Sequence, residues 1–136
     1  MAIARKFGDE VHFWNVPDIQ AAAQGLPVKH VSPATFDLDI DAWFGEACEP
    51  TISNVVHHMK YIRDADLSKP IILSAEGHVF DGQHRLAKCV LDGVSEIPAQ
   101  QFEENPPPFK VEPFHEFKKK RPLIAASLEK METGKL

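Results

Sequence analysis

Between Pro70 and Phe102 the chain reads PIILSAEGHVFDGQHRLAKCVLDGVSEIPAQQF. This stretch leaves little freedom, because strand, turn, strand, helix and strand follow one another with almost no loop between them. Ile71, Ile72 and Leu73 form a short, mostly β-branched apolar run, Ala75-Glu76-Gly77 supplies a turn, and His78 to Phe80 return as a second strand. From Gln83 onward Leu86, Ala87, Val90 and Leu91 recur at helical spacing, and Gly93 after Asp92 reads as the stop. Asp81 to Arg85 therefore opens a helix directly after a strand. The first N–H groups of a helix lack intrahelical acceptors and carry partial positive charge, so a phosphate is expected there, with Gly82 letting it approach the backbone.

A PIIL strand, a DGxHR junction, a helix rich in Ala, Lys and Leu, and Ile97-Pro98 at the next strand together resemble the ParB/sulfiredoxin family, often labelled the ParB-like nuclease domain. Leu26 to Pro33 is similar to that family's first strand. Glu49-Pro50-Thr51 sits where partition proteins carry a Q-P-R segment, so the resemblance runs from Leu26 to Phe102. It implies a small mixed α/β domain in which a few strands are packed by helices. It also implies a nucleotide-phosphate site serving unlike activities: partitioning with CTP, repair of oxidised peroxiredoxin with ATP, and phosphorylation of free serine with ADP. Gln83 stands where sulfiredoxin has its catalytic cysteine, so that chemistry is not expected. Too few residues follow Phe102 for the second motif and helix-turn-helix domain of full partition proteins. The serine kinases' DGHHR-type loop matches except at Gln83, and their glutamate base points to Glu49.

The chain has 136 residues, 43% hydrophobic and 26% charged, enough for one core with extensions. The divisions expected are an N-terminal arm with a short helix (1–25), the ParB/sulfiredoxin-like domain (26–104), and a Pro-rich linker with a C-terminal helical extension (105–136). No apolar run is long enough to span a bilayer, and the opening MAIARKFGDEVHFW lacks a signal peptide's apolar segment, so a cytoplasmic protein without a membrane partner is expected. Cys48 and Cys89 suit reduced thiols rather than a disulfide framework, with Cys89 a small core residue in mid-helix.

Val16-Pro17-Asp18 followed by Ile19 to Gln24 and Gly25 predicts a short helix, anchored by Phe13 and Trp14. Asp37, Asp39, Asp41, Glu46 and Glu49 form an acidic stretch without an EF-hand's glycine and terminal glutamate, which reads as a solvated loop. Ile52, Val55, Val56, Met59 and Ile62 then mark the apolar face of a helix capped by Thr51 or Ser53. His57 and His58 are adjacent there and point about 100° apart, a poor arrangement for one metal ion. After the linker Glu103 to Pro108, Phe109, Val111, Phe114 and Phe117 are apolar enough to dock on the domain or another subunit. Leu123, Ile124, Ser127, Leu128 and Met131 stripe a terminal helix suited to core packing or to a homo-oligomer formed through this extension.

At the junction, Arg85 is placed to grip phosphate oxygens in pairs or to form a surface salt bridge. His84 is a donor to phosphate or a loop-holding histidine. Asp81 is a magnesium ligand, an acceptor for a substrate hydroxyl proton, or a cap on the loop backbone. Gly82, Gln83, His84 and Arg85 would hold ATP, ADP or CTP, with Mg2+ brought in by the nucleotide, and Asp81, Glu49 and His84 are the catalytic candidates for phosphotransfer to a small hydroxylated molecule. Lys88 reads as an exposed helix lysine. The alternative is a DNA-binding or nuclease module of plasmid or phage type, using the junction and the basic run Lys118, Lys119, Lys120 and Arg121. A net charge of −5 weighs against broad DNA affinity, and a solvated charge run preceding a helix is the plainer reading of those four residues.

Overall fold

In the computed structural model, residues 2–38 and 51–133 are described. Strands β1 (Ala2–Phe7) and β2 (Glu10–Asn15) form a hairpin closed by Gly8 and Asp9, with Gly8 at φ 59°, the left-handed conformation such a tight turn requires. Helix α1 (Val16–Ala23) follows, with Pro17 in its first turn, then β3 (Val28–Val31) and a 3-10 turn at Pro33–Thr35. Helix α2 (Ile52–Asp64) begins at Thr51, whose hydroxyl accepts from Asn54 N at 3.2 Å. Then come β4 (Ile71–Leu73), β5 (Val79–Asp81), α3 (Gln83–Asp92), β6 (Ile97–Gln101), β7 (Lys110–Pro113), α4 (Phe114–Lys120) and α5 (Pro122–Thr133). The fold is mixed α+β.

Two sheets organise it. The central sheet has order β3-β6-β4-β5, with β4 and β5 antiparallel and β6 returning parallel to β4 after α3. Successive strand residues face opposite sides. Ile71 and Leu73 pack with Val79, Leu86, Cys89, Ile97 and Ala99 on the α3 side, whereas Ile72 packs with Trp14, Ile19, Ala23, Phe80 and Phe102 on the other. A strand covered on both faces must be apolar throughout, which is why β4 shows no alternation.

The second sheet has order β1-β2-β7 and joins the chain's two ends. The arm and the extension expected at residues 1–25 and 105–136 are thus one unit: the hairpin was not anticipated, and β7 pairs with β2 from Glu10↔Pro113 to Phe13↔Lys110. One face of this sheet, carrying Val11 and Phe13, meets Phe117, Ile124, Ala125, Leu128 and Met131 of α4 and α5. Ile124, Ser127, Leu128 and Met131 of the expected terminal stripe are therefore buried within the chain, whereas Leu123 is 65% exposed. The opposite face, carrying Ile3, Phe7 and Trp14, packs toward the central sheet, where the Trp14 and Phe80 rings lie 5.0 Å apart. Buried Arg5 strengthens the joint by donating from Nη2 to the Val79 carbonyl while its guanidinium lies over Phe80.

Helix α2 departs from its expected register. Ile52 and Met59 are 86% and 60% exposed and Val56 is exposed, while His58 is 2% exposed, flanked on the same face by half-buried Val55 and Ile62. The inward face is centred on a histidine because the helix meets α3 at that helix's polar amino end.

Candidate functional site

The junction between β5 and α3 is a single residue. Gly82 has φ 109°, and a Cβ there would lie 2.5 Å from Ile71 Cγ2 and 2.9 Å from Ile71 Cβ. Both the left-handed backbone and the contact with β4 demand glycine. The consequence is an N-cap position with no side-chain cap bond, so the amino end of α3 is framed by backbone, with Leu86 N to Gly82 O at 2.9 Å closing its first turn.

Asp81, the last residue of β5, does not cap the helix. Its Oδ2 accepts from Arg85 Nη2 at 3.0 Å and from Gln20 Nε2 of α1 at 3.1 Å. Arg85 also donates from Nη1 to the Pro70 carbonyl just before β4. The pair is sheltered, with 16% and 18% side-chain exposure for Arg85 and Asp81. The guanidinium, expected to grip phosphate or form a surface salt bridge, makes a salt bridge to Asp81 that is sheltered rather than exposed, and so latches the start of α3 to the β4–β5 hairpin.

His84 turns the other way, toward α2. Its Nε2 lies 2.9 Å from His58 Nδ1, the two rings are nearly parallel at 16°, and the half-exposed Tyr61 ring stands 5.3 Å from His84. One nitrogen of that contact must carry the hydrogen and the other accept it, so the pair accommodates the bond only while the acceptor ring is neutral at that nitrogen. His57 packs edge-on against Tyr61 at 4.9 Å. Lys88 is no idle surface lysine: its Nζ donates to the Arg63 and Ala65 carbonyls at 2.9 and 3.1 Å, closing the carboxyl end of α2.

Comparison with family models, with curated proteins and with solved structures returned no match. The residues themselves therefore carry the functional reading. Asp81, Gly82, Gln83, His84 and Arg85 surround one helix end, and Gln20, His58 and Tyr61 join them from elsewhere in the chain. His58 had a sequence signal, a polar residue in the buried rhythm of Val55 and Ile62; Gln20 had none, since only the packing of α1 beside β5 brings it there. Glu49 and Cys48 lie outside the described residues.

The basic run lies elsewhere, at the end of α4 in the terminal unit. Lys118 pairs with Glu129 at 3.5 Å and Lys120 with Glu112 at 3.9 Å, so carboxylates offset part of its charge. Cys89 is buried, and burial, then the Asp92 carboxylate, push its thiol up from the ordinary range, which suits packing rather than nucleophilic work. Among the described residues, no cluster of three or more His, Cys, Asp or Glu is arranged to hold a metal ion, and no helix is long and apolar enough to cross a membrane.

Proposed function

We propose that the chain binds the phosphate groups of a nucleotide, such as ATP, ADP or CTP, at the amino end of α3. The observation that carries this reading is Gly82: a positive-φ residue packed against Ile71, it leaves the helix end without a capping side chain. Backbone amides at a helix start suit an anion, and a residue without a Cβ lets it come close. Gln83 and His84 would donate alongside. Arg85 contributes positive charge from behind the junction while tied to Asp81. The described contacts of Asp81 all use Oδ2, which leaves Oδ1 for Mg2+ arriving with the nucleotide.

The activity that follows is phosphoryl transfer to a small hydroxylated acceptor, in keeping with the ParB/sulfiredoxin resemblance. The acceptor oxygen attacks the terminal phosphorus, the bond to the departing nucleotide breaks (a diphosphate from ATP or CTP, a monophosphate from ADP), and the hydroxyl proton passes to a carboxylate, Glu49, or Asp81 Oδ1 where no Mg2+ occupies it. The DNA-associated alternative has less support, since half of the basic run is ion-paired.

Calorimetric titration of ATP, ADP and CTP, with and without Mg2+, into the wild type and His84→Ala tests the proposal. Micromolar binding that weakens about tenfold in the variant, titrated at a temperature where circular dichroism shows the variant fully folded because loss of the His58 contact lowers its stability, supports it. Absence of binding by all three nucleotides, together with salt-sensitive DNA binding lost in a Lys118→Gln/Lys119→Gln/Lys120→Gln/Arg121→Gln variant, would replace it with the DNA reading. Arg85→Ala is the less clean probe: it leaves the sheltered Asp81 carboxylate without its cation, so lost affinity would be mixed with about 2 kcal/mol of lost stability.

A further inference from the structure

Helix α2 sits outside the apolar core. Among the described residues, none of its side chains belongs to the buried clusters around either sheet. Ile52, Val56 and Met59 are exposed, and half-buried Val55 and Ile62 flank His58 on the inward face. Its fixed points on α3 are polar: His58 with His84, and the Arg63 and Ala65 carbonyls with Lys88.

The histidine contact is a hydrogen bond in the plane of both rings. The ring centres lie 5.1 Å apart and the nitrogens 2.9 Å apart, the separation obtained when both nitrogens stand on the line between the centres, and the planes differ by 16°. Such a bond survives one added proton, because an imidazolium donates to a neutral imidazole more strongly than a neutral ring does. A second proton leaves a donor on each facing nitrogen and sets two cations in contact. Lys88, one turn beyond His84 on the side of α3 turned to α2, adds to that repulsion. From α2 come the rings of His57, 5.5 Å from His58, and Tyr61, 5.3 Å from His84. The nearby described carboxylates Asp64 and Asp81 are engaged by Arg63 and Arg85. Strand β4 and the 3-10 turn, which also pack on α3, bring no ionisable side chain.

We propose that the His58–His84 pair is an acid-released latch: it keeps α2 on α3 while it holds at most one extra proton, and a second proton frees α2 while both sheets and α5 stay folded. Imidazoles ordinarily change charge between about pH 5 and about pH 8, within reach of mild acidification. The freed helix binds one proton more than the docked one, so by linkage docking weakens as the pH falls, by up to about tenfold per pH unit. The test is amide hydrogen exchange of the full chain at about pH 7.5 and about pH 5, each rate corrected for the intrinsic chemical rate at that pH. Protection of α2 relative to α5 is expected to fall at least about tenfold in acid and to return on neutralisation. The fall should persist in His57→Gln and vanish in His58→Gln. A protection ratio that does not change with pH, a loss shared equally by α5, a fall abolished in His57→Gln, or one retained in His58→Gln would each overturn the proposal. The wild-type and His57→Gln arms decide the matter even where α2 of the His58→Gln variant is already loose.

Discussion

Helices α2 and α5 look alike in sequence, each with a regular apolar stripe, yet the fold treats them oppositely. In α5 the stripe is the core: Ile124, Ala125, Leu128 and Met131 are buried against the hairpin and Phe117. In α2 Ile52, Val56 and Met59 are exposed, and the buried residue is His58. The first helix is held by non-directional burial and the second largely by directed polar contacts, His58 with His84 and Lys88 with the last carbonyls of α2. An amphipathic pattern thus establishes that a helix forms, whereas the face it buries depends on what its neighbour offers, here the polar start of α3.

The widest separation between the two should appear on truncating one apolar side chain in each. Leu128→Ala is expected to cost about 3 kcal/mol, since it removes buried methyl groups and leaves a cavity, whereas Met59→Ala should stay within about 0.5 kcal/mol. Urea unfolding of both variants measures the difference. Comparable losses would mean that the exposed stripe of α2 is covered by something and that the contrast fails.

Removing the polar pin comes next. His58→Ala deprives His84 Nε2 of its partner and opens space between α2 and α3, with an expected loss of about 2 kcal/mol. Amide hydrogen exchange should accelerate in α2 while the amides of α5 keep their protection. Uniform acceleration in both helices would show that α2 is integral to the global fold rather than pinned onto it. Lys88→Met keeps the aliphatic stem but removes the ammonium from the carboxyl end of α2, and should cost about 1 kcal/mol, read by the same exchange experiment at the last turn.

The sequence was most informative where local and tertiary demands coincide. The uninterrupted apolar run of β4 follows from burial on both faces, and the single-residue junction at Gly82 from a strand leading straight into a helix. The terminal hairpin was hidden because β1 alternates poorly: its inward face carries Arg5 between Ile3 and Phe7, and an arginine reads as solvent-facing until the Val79 carbonyl and Phe80 ring appear beside it. Arg85 shows the same limit. Its place in the first turn of α3 was legible, but the Pro70 carbonyl and Asp81 Oδ2 that engage it are set by how β4 and β5 pack. The His58–His84 contact likewise joins residues from separate helices, and no spacing rule links them.

The smallest effect expected lies where the chain leaves α2. Asp66 accepts from Ser68 N at 3.0 Å and Ser68 Oγ at 2.6 Å, and these bonds, the hydroxyl first, hold its carboxyl below the ordinary carboxylate value. A carboxyl held down in the folded state contributes stability above its unfolded value and loses it as the pH falls through the lower folded one. Asp66→Asn should therefore lower the melting temperature slightly at neutral pH, and the gap from wild type should close on acidification through the carboxylate range. The group is fully exposed, so solvent screens it and the gap should be far smaller than that from Lys88→Met. Thermal melts of both proteins at neutral and acidic pH decide the matter. A gap that stays constant with pH would mean that the turn depends on the shape of the side chain at position 66 and not on its charge, which would narrow the charge-dependent support of α2 to Lys88 and the histidine pair.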